Sequence, residues 1–380
     1  VSASPPVPRP VLDPKECGDE RRALAKREAA LSTSPRCLEL FRRETDLGFV
    51  KRLTLTSYED KAVVDVSLIA KATALEDLSL SLVPLPALDP LKDLASLRSL
   101  RISTPVERLD AIRALTQLER LMIEPAAHGV LRDVSGLSGL SRLKTLSVRQ
   151  DVDLTALARV QPQLEALVAP SATQLTALAG FPQLESLTIG CFESKTEPVA
   201  VPPKLRELAI ECHGLPLPLD PLARFAELHM LDISETDPLS LDPVRSLKKL
   251  RRFDAHDSKL KNIGALSQCT ALEWVDIHGT QVKSLAPIAT LPRLKFIDAG
   301  DTLVDDAAEI ARSRSLESLW LPGTAVKNVL PLSAIPSLRE LMLPRACTRN
   351  DALALHRARP DLRIMAWVEK SEAEDPTCFR

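Results

Sequence analysis

Glycine is scarce, with 12 in 380 residues, and aromatic side chains make up only 3%. Such a chain cannot readily build a glycine-rich nucleotide cradle or an aromatic platform for stacking bases. An excess of charge of one sign is also missing: 49 Lys and Arg stand against 51 Asp and Glu, a net charge of −2. That removes the electrostatic case for nucleic acid or an anionic membrane as partner. No apolar run approaches the ~18 residues of a membrane span. None of the seven cysteines forms a C-x-x-C pair, no histidine spacing has the form of a zinc site, and H-E-x-x-H, G-x-S-x-G and phosphate-loop motifs are all missing. Neither catalysis, a cofactor nor a structural metal is expected.

Leucine and proline are abundant, and leucine is periodic. The pattern Leu-x-x-Leu-x-Leu recurs in fifteen copies over 312 residues, a mean period near 22. Clear copies are Leu75/Leu78/Leu80, Leu143/Leu146/Val148, Leu228/Leu231/Ile233, Leu272/Val275/Ile277 and Leu316/Leu319/Leu321. The first is Val50/Leu53/Leu55, and a degenerate last copy is Leu362/Met365/Trp367. Counting the first leucine as place 1, apolar residues at places 4 and 6 make a short strand with one buried face. One copy cannot bury that row alone, so neighbours stack and share a core. The returns carry apolar-x-Pro-apolar, as in Leu88–Leu91, Leu219–Leu222, Leu241–Val244, Leu285–Ile288 and Val329–Leu332. Proline there argues for short 3-10 or extended pieces rather than long helices.

The ends depart from the repeat. Residues 1–14 are Pro-rich and read as an extended tether; a start at Val1 rather than Met reads as a processed or trimmed product. Residues 15–46 read as a helical N-terminal cap, with one helix over Asp19–Ala30 and a second from Arg36 to about Thr45. The solenoid is assigned to 47–345, and 346–380 form a C-terminal cap with a helix over Asn350–Ala358, the last degenerate repeat and a polar tail.

The stretches Leu272-Glu-Trp-Val-Asp-Ile-His-Gly-Thr-Gln-Val and Leu316-Glu-Ser-Leu-Trp-Leu-Pro-Gly-Thr-Ala-Val carry a resemblance to the leucine-rich-repeat superfamily, specifically its 22-residue bacterial, internalin-like class. The resemblance covers roughly residues 47–368. It implies an α/β solenoid, a leucine-rich-repeat horseshoe. The parallel β-sheet would line the concave face and 3-10 or extended returns the convex face, between a helical N-cap and a short C-cap. It implies a bacterial protein but is nearly silent about function, since the superfamily shares a scaffold and not a reaction; the long concave sheet of a curved solenoid suits holding another protein. One departure stands out. The family usually has Asn at place 9, where this chain has Thr236, Ser258, Thr280, Thr302 and Thr324. A hydroxyl can serve the turn more weakly.

The cysteines fall into pairs. Cys17 and Cys37 share the N-cap, Cys347 and Cys378 bracket the C-cap, and Cys191 and Cys212 occupy place 8 of consecutive repeats. Equivalent places in adjacent coils lie ~4.8 Å apart, within disulfide reach. Cys269 falls at a core place and should stay a free thiol. Three disulfides favour an oxidising, extracytoplasmic location (periplasmic, cell-surface or secreted), with the cytoplasm as the alternative.

The outward places 3, 5 and 7 hold the functional candidates. In the first half they are mostly small or polar, such as Ser79, Ser99, Thr145 and Ser186. In the second half place 5 reads Asp232, Asp254, Asp276, Asp298, Trp320 and Met342, place 3 adds Met230, Trp274 and Phe296, and place 7 adds His256 and His278. The histidines with Asp254 and Asp276 read as a solvated pair rather than a metal site. The alternating Arg251, Glu273, Lys295, Glu317 and Arg339 at place 2 read as a solvated ladder that fixes register. Exposed aromatics in register, with an acidic row beside them, fit recognition of a basic protein segment between about residues 230 and 345. The alternative role is a spacer or assembly component of a bacterial cell envelope.

Overall fold

The computed structural model describes residues 17–34, 37, 47–56, 66–81, 88–103, 106, 108–124, 131, 133–196 and 198–365. The chain divides into two compact units, Val1–Phe181 and Pro182–Arg380.

The first unit opens with helix α1 (Gly18–Ala25), then strand β1 (Ala30–Thr33). Parallel to β1 run β2 (Arg52–Thr56), β3 (Asp77–Ser81), β4 (Ser99–Ile102), β5 (Arg120–Ile123) and β6 (Thr145–Val148), each beside its predecessor. The two-residue strand β7 (Val152–Asp153) and helix α2 (Leu154–Val160) follow, then β8 (Ala166–Ala169) on the far side of β6. A short β9 (Ala172–Thr173) pairs with β7 on the return side.

In the second unit the main sheet runs β10 (Ser186–Ile189), β11 (Glu207–Ile210), β13 (Met230–Asp232), β15 (Arg252–Asp254), β16 (Trp274–Asp276), β17 (Phe296–Asp298), β18 (Ser318–Trp320), β19 (Glu340–Met342) and β20 (Arg363–Met365), all parallel. A minor ladder pairs β12 (Pro216–Leu217) with β14 (Asp237–Pro238). Helix α3 (Arg349–Ala358) precedes the last strand, started by a capping box in which Thr348 and Asp351 bond each other's backbone N–H.

Inside each unit the leucine frame does what its spacing requires. Leu78, Leu80, Leu231, Ile233, Val275, Ile277, Leu319 and Leu321 are all buried, and in-register stacking makes each row continuous. All five Pro-containing returns are 3-10 turns with proline in their first two positions: Asp89–Leu91, Asp220–Arg224, Asp242–Ser246, Ala286–Ile288 and Leu330–Ala334. Proline's fixed φ suits a helix start, and its missing N–H costs nothing there. Four of the five place-9 hydroxyls serve their turn, while the buried Ser258 Oγ has no hydrogen-bond partner among the described residues. Thr236, Thr280, Thr302 and Thr324 are buried, and each Oγ1 donates to the place-6 carbonyl three residues back, at 2.6, 2.6, 2.7 and 2.8 Å. Place 8 takes a left-handed backbone in five consecutive repeats, at Glu235, Asp257, Gly279, Asp301 and Gly323. At Gly323 an added Cβ would also meet the Asp301 carboxylate, so glycine relieves the left-handed backbone there, which Glu235, Asp257 and Asp301 adopt without it.

Three expectations need correction. The N-terminal helix ends at Ala25, not Ala30; Arg27 turns the chain at φ 55°, and residues 30–33 become strand. Leu31 and Thr33 are buried there beside Leu53 and Leu55, so covering the first apolar row overrides the helix propensity of the segment. The expected second helix, Arg36 to Thr45, lies outside the described residues except for Cys37. Within the first unit, α2 is a full α-helix where a 3-10 return was expected. It has no proline, and Asp153 caps it by accepting the Thr155 N–H at 2.7 Å. The degenerate last copy is slipped by one residue: Ile364, not Met365, stands beside Leu341, and Met365 stands beside the outward Met342. A one-residue slip exchanges the two faces of a strand. Trp367 lies outside the described residues.

Cys17–Cys37 and Cys191–Cys212 are disulfides, with Cα atoms 5.6 and 5.0 Å apart. Cys269 is a buried free thiol, as expected. Cys347 is a free thiol here, and Cys378, its expected partner, lies outside the described residues.

Candidate functional site

Strands β13 to β19 bring the place-3 and place-5 candidates of the second half to one side of one sheet, and His256 and His278 stand in the turns that follow β15 and β16. Place 3 aligns Met230, Arg252, Trp274, Phe296 and Ser318, and place 5 aligns Asp232, Asp254, Asp276, Asp298, Trp320 and Met342.

The aromatic residues form a stack. Trp274 and Phe296 lie face to face, with centroids 5.3 Å apart and planes 7° apart, close to the strand repeat. Phe296 meets Trp320 edge to face at 5.1 Å. The other face of Trp274 is covered by the guanidinium of Arg252, 3.7 Å from the ring centroid. Arg252 is not among the residues singled out by the repeat, although a basic residue at place 3, one coil before an aromatic at place 3, is a legible cation–π pattern. Both faces of Trp274 are therefore taken, and all three rings are half-buried. The indole Nε1 of Trp320 is buried without an acceptor.

The place-5 aspartates form a second row beside the rings. Each folds back on its own turn: Oδ1 of Asp232, Asp254, Asp276 and Asp298 accepts the backbone N–H two residues on, from Ser234, His256, His278 and Gly300. These are Asx turns, and they make the row part of the repeat's own architecture. Asp254 is buried at 6% exposure, and its Oδ1 lies 2.8 Å from Nδ1 of His256. Arg252 approaches the other oxygen at 3.5 Å. His278 sits between Asp298, at 3.9 Å, and Asp301, at 3.5 Å. Among the described residues no group of three His, Cys, Asp or Glu has metal-holding geometry.

Crowding acidic groups in a half-buried row shifts their titration. Burial pushes Asp276 up to about 6, with Asp298 and Asp254 adding to the rise against the pull of the His278 N–H. Burial likewise raises Asp298. For His256 burial opposes the charged form, but the hydrogen bond and charge of Asp254 outweigh it and raise its pKa.

Asp276 gives a pH prediction. Its folded pKa of about 6 exceeds an unfolded value of about 3.9, so the folded state holds this proton to higher pH. The associated stability is present below pH ~4 and is lost as pH rises through ~6. Asp276→Asn keeps an acceptor for the turn and removes the charge. It is expected to stabilise the protein by about 1–2 kcal/mol at pH 7.5, allowing for solvent screening, and by nothing measurable at pH 4. Thermal unfolding of both proteins across that range is the measurement; equal stability at pH 7.5 contradicts it.

The place-2 ladder pairs as expected between Lys295 and Glu317, at 3.6 Å. Pairs of the same kind close within the first unit, where Lys51–Glu76, Arg98–Glu119 and Lys144–Glu165 stand at 3.0, 2.8 and 2.9 Å.

No protein-family model matches the sequence, and no curated protein matches it. Solved structures do. An internalin of Listeria monocytogenes is 19% identical, covers 87% of this chain and 93% of its own, and superposes with a TM-score of 0.55. A leucine-rich-repeat protein of Leptospira interrogans is 16% identical over 88% of each chain, also at 0.55. TLR13, solved in complex with ssRNA13, matches at 16% identity and 0.55, over 83% of this chain and 57% of its own.

Proposed function

We propose that this chain, whose fold is that of the leucine-rich repeats, is a non-enzymatic protein-binding module. It recognises a basic protein segment through the strand side of its second unit. The observation that carries the reading is the Arg252–Trp274–Phe296–Trp320 stack, held in register on the solvent side of the sheet. Stacking each ring on the next fixes the side chains before binding, so little entropy remains to be lost on contact. The ring edges and Met342 supply apolar contact.

Beside the stack, Asp276 and Asp298 line one flank, and the exposed carboxylates of Glu235 and Asp301 stand at the next rim. Lys and Arg side chains of a partner complement that flank. Charge there steers the encounter, while the aromatic contact holds the complex. Two disulfides support an extracytoplasmic location.

The test is titration of Lys/Arg-bearing peptides, and of partners recovered from an envelope fraction, against the wild type and patch variants. Trp320→Ala or Trp274→Ala is expected to weaken binding by ~2 kcal/mol or more. Glu235→Gln with Asp301→Asn mainly slows association and flattens its salt dependence. Patch variants that bind like wild type, with loss caused instead by changes on the return side, overturn the assignment.

A further inference from the structure

We infer that the first unit carries its own docking surface, on the solvent side of strands β2 to β5, for an extended protein segment bearing Asp or Glu carboxylates. The inference stands apart from the function proposed for the second unit, because different residues of opposite charge carry it.

Charges on this unit's sheet fall into two sets. At place 2, along one rim, cations and anions alternate and pair at 2.8–3.0 Å, as Lys51–Glu76, Arg98–Glu119 and Lys144–Glu165. Those charges are satisfied within the chain. The inner rows differ. Arg52, Arg101 and Arg120 are exposed at outward places 3, 5 and 3. Their one ion pair among the described residues is a loose contact of Arg120 with Asp77, at 3.9 Å. Arg101 instead rests its guanidinium 3.2 Å from the sulfur of Met122. Arg52 also lies within electrostatic reach of Glu76 and beside Asp77, so the inner rows of β2 to β5 set three arginines against the single carboxylate of Asp77, unlike the one-to-one rim.

The surroundings keep the guanidiniums accessible. The outward neighbours Thr54, Ser79 and Ser99 are short hydroxyl residues, so the floor of the sheet is low and offers extra donors to an oxygen ligand. Arg52 and Arg120 share one in-register row with Asp77 and Ser99 between them. Three strand steps therefore separate them, roughly 14 Å at the usual strand spacing. An extended chain crossing the strands at ~3.3 Å per residue brings side chains four residues apart to those two arginines. Arg101, one strand from Arg120 in the neighbouring row, takes a carboxylate between them.

Guanidinium prefers planar oxyanions, which it binds through two parallel hydrogen bonds. Among oxyanion sources, the surface favours a protein. No aromatic ring stands on the outward places of β2 to β5 to stack a base, and the whole chain is at −2.

The experiment is fluorescence anisotropy of the full chain with a labelled twelve-residue peptide carrying Glu at every second position in a Ser/Gly background. Its Gln counterpart, a single-stranded oligonucleotide and a sulfated oligosaccharide are the other arms. The Glu peptide is expected to bind, with affinity falling as salt rises, and the Gln peptide not to bind. Arg52→Gln with Arg101→Gln should weaken binding ~tenfold or more. The rim variant Lys144→Gln and the second-unit variant Trp274→Ala should leave it within about twofold. No saturable binding of the Glu peptide at low ionic strength overturns the surface. Equal loss from Lys144→Gln does the same, by reducing the effect to general charge. Tighter binding of the oligonucleotide or oligosaccharide overturns the assigned occupant. Because Trp274→Ala is the control, failure here is separate from failure of the second-unit reading.

Discussion

Leu231→Ala is expected to destabilise the folded chain by about 2–5 kcal/mol, the range for a large-to-small change in a packed core. Leu231 is fully buried at the centre of β13, with Leu208 on one side and Phe253 on the other in the same apolar row. Truncation removes contacts to both neighbours and leaves a cavity that flanking strands cannot fill, since each is held in register by its own hydrogen bonds. Ser99→Ala, on the outward side of β4, should change stability by under ~0.5 kcal/mol. Because contacts run between adjacent coils, the loss spreads first to neighbours. Amide exchange should therefore rise most in β11, β13 and β15, and least in β18 and β19. Urea unfolding gives the magnitude and exchange gives the spread. Equal losses at the two positions would show that the assignment of inward and outward places is wrong.

Where the sequence could be read, one strong physical signal dominated a segment. Leucines at places 1, 4 and 6 locate the strands because burial of a stacked row leaves no other solution. Proline locates the five 3-10 turns because it excludes the competing helix. Where two signals compete, the reading fails. Residues 26–33 hold good helix formers and also an alternating Leu31 and Thr33, and only the uncovered row at Leu53 and Leu55 decides for strand. The slip at β20 is of the same kind: Ile364 and Met365 are both apolar, and the pairing with β19 chooses between them.

The outward surface was harder still. Arg52, Arg101, Arg120 and Arg252 interrupt no leucine pattern, so periodicity passes over them. The aspartates were visible, but not their Asx turns, because an acceptor aimed at a backbone N–H two residues on looks the same in sequence as one aimed at solvent. Trp274, Phe296 and Trp320 were legible as a strip through the repeat spacing. Their orientation was not, since it depends on Arg252 taking the first ring face.

Removing the Cys191–Cys212 bond is expected to lower stability by about 3 kcal/mol, the chain-entropy value for a cross-link closing a loop of about twenty residues. The two cysteines are 21 residues apart and stand at place 8 of successive repeats, with Cα atoms 5.0 Å apart. Adjacent coils already hold these positions at bonding distance, so the bond restrains the unfolded chain more than it reshapes the folded one. Cys191→Ser with Cys212→Ser should therefore keep the strand pairing of β10 and β11 while shifting the unfolding midpoint. Cys269 supplies the internal comparison. It is fully buried, burial pushes its thiol up to about 11, and it should resist alkylation until the protein unfolds. Non-reducing peptide mapping should recover Cys191 and Cys212 on one cross-linked peptide and Cys269 alone. Alkylation of Cys191 in the intact native protein would show that the bond is not formed. The proposed extracytoplasmic location would then rest on Cys17–Cys37 alone, a bond that closes a loop of similar length.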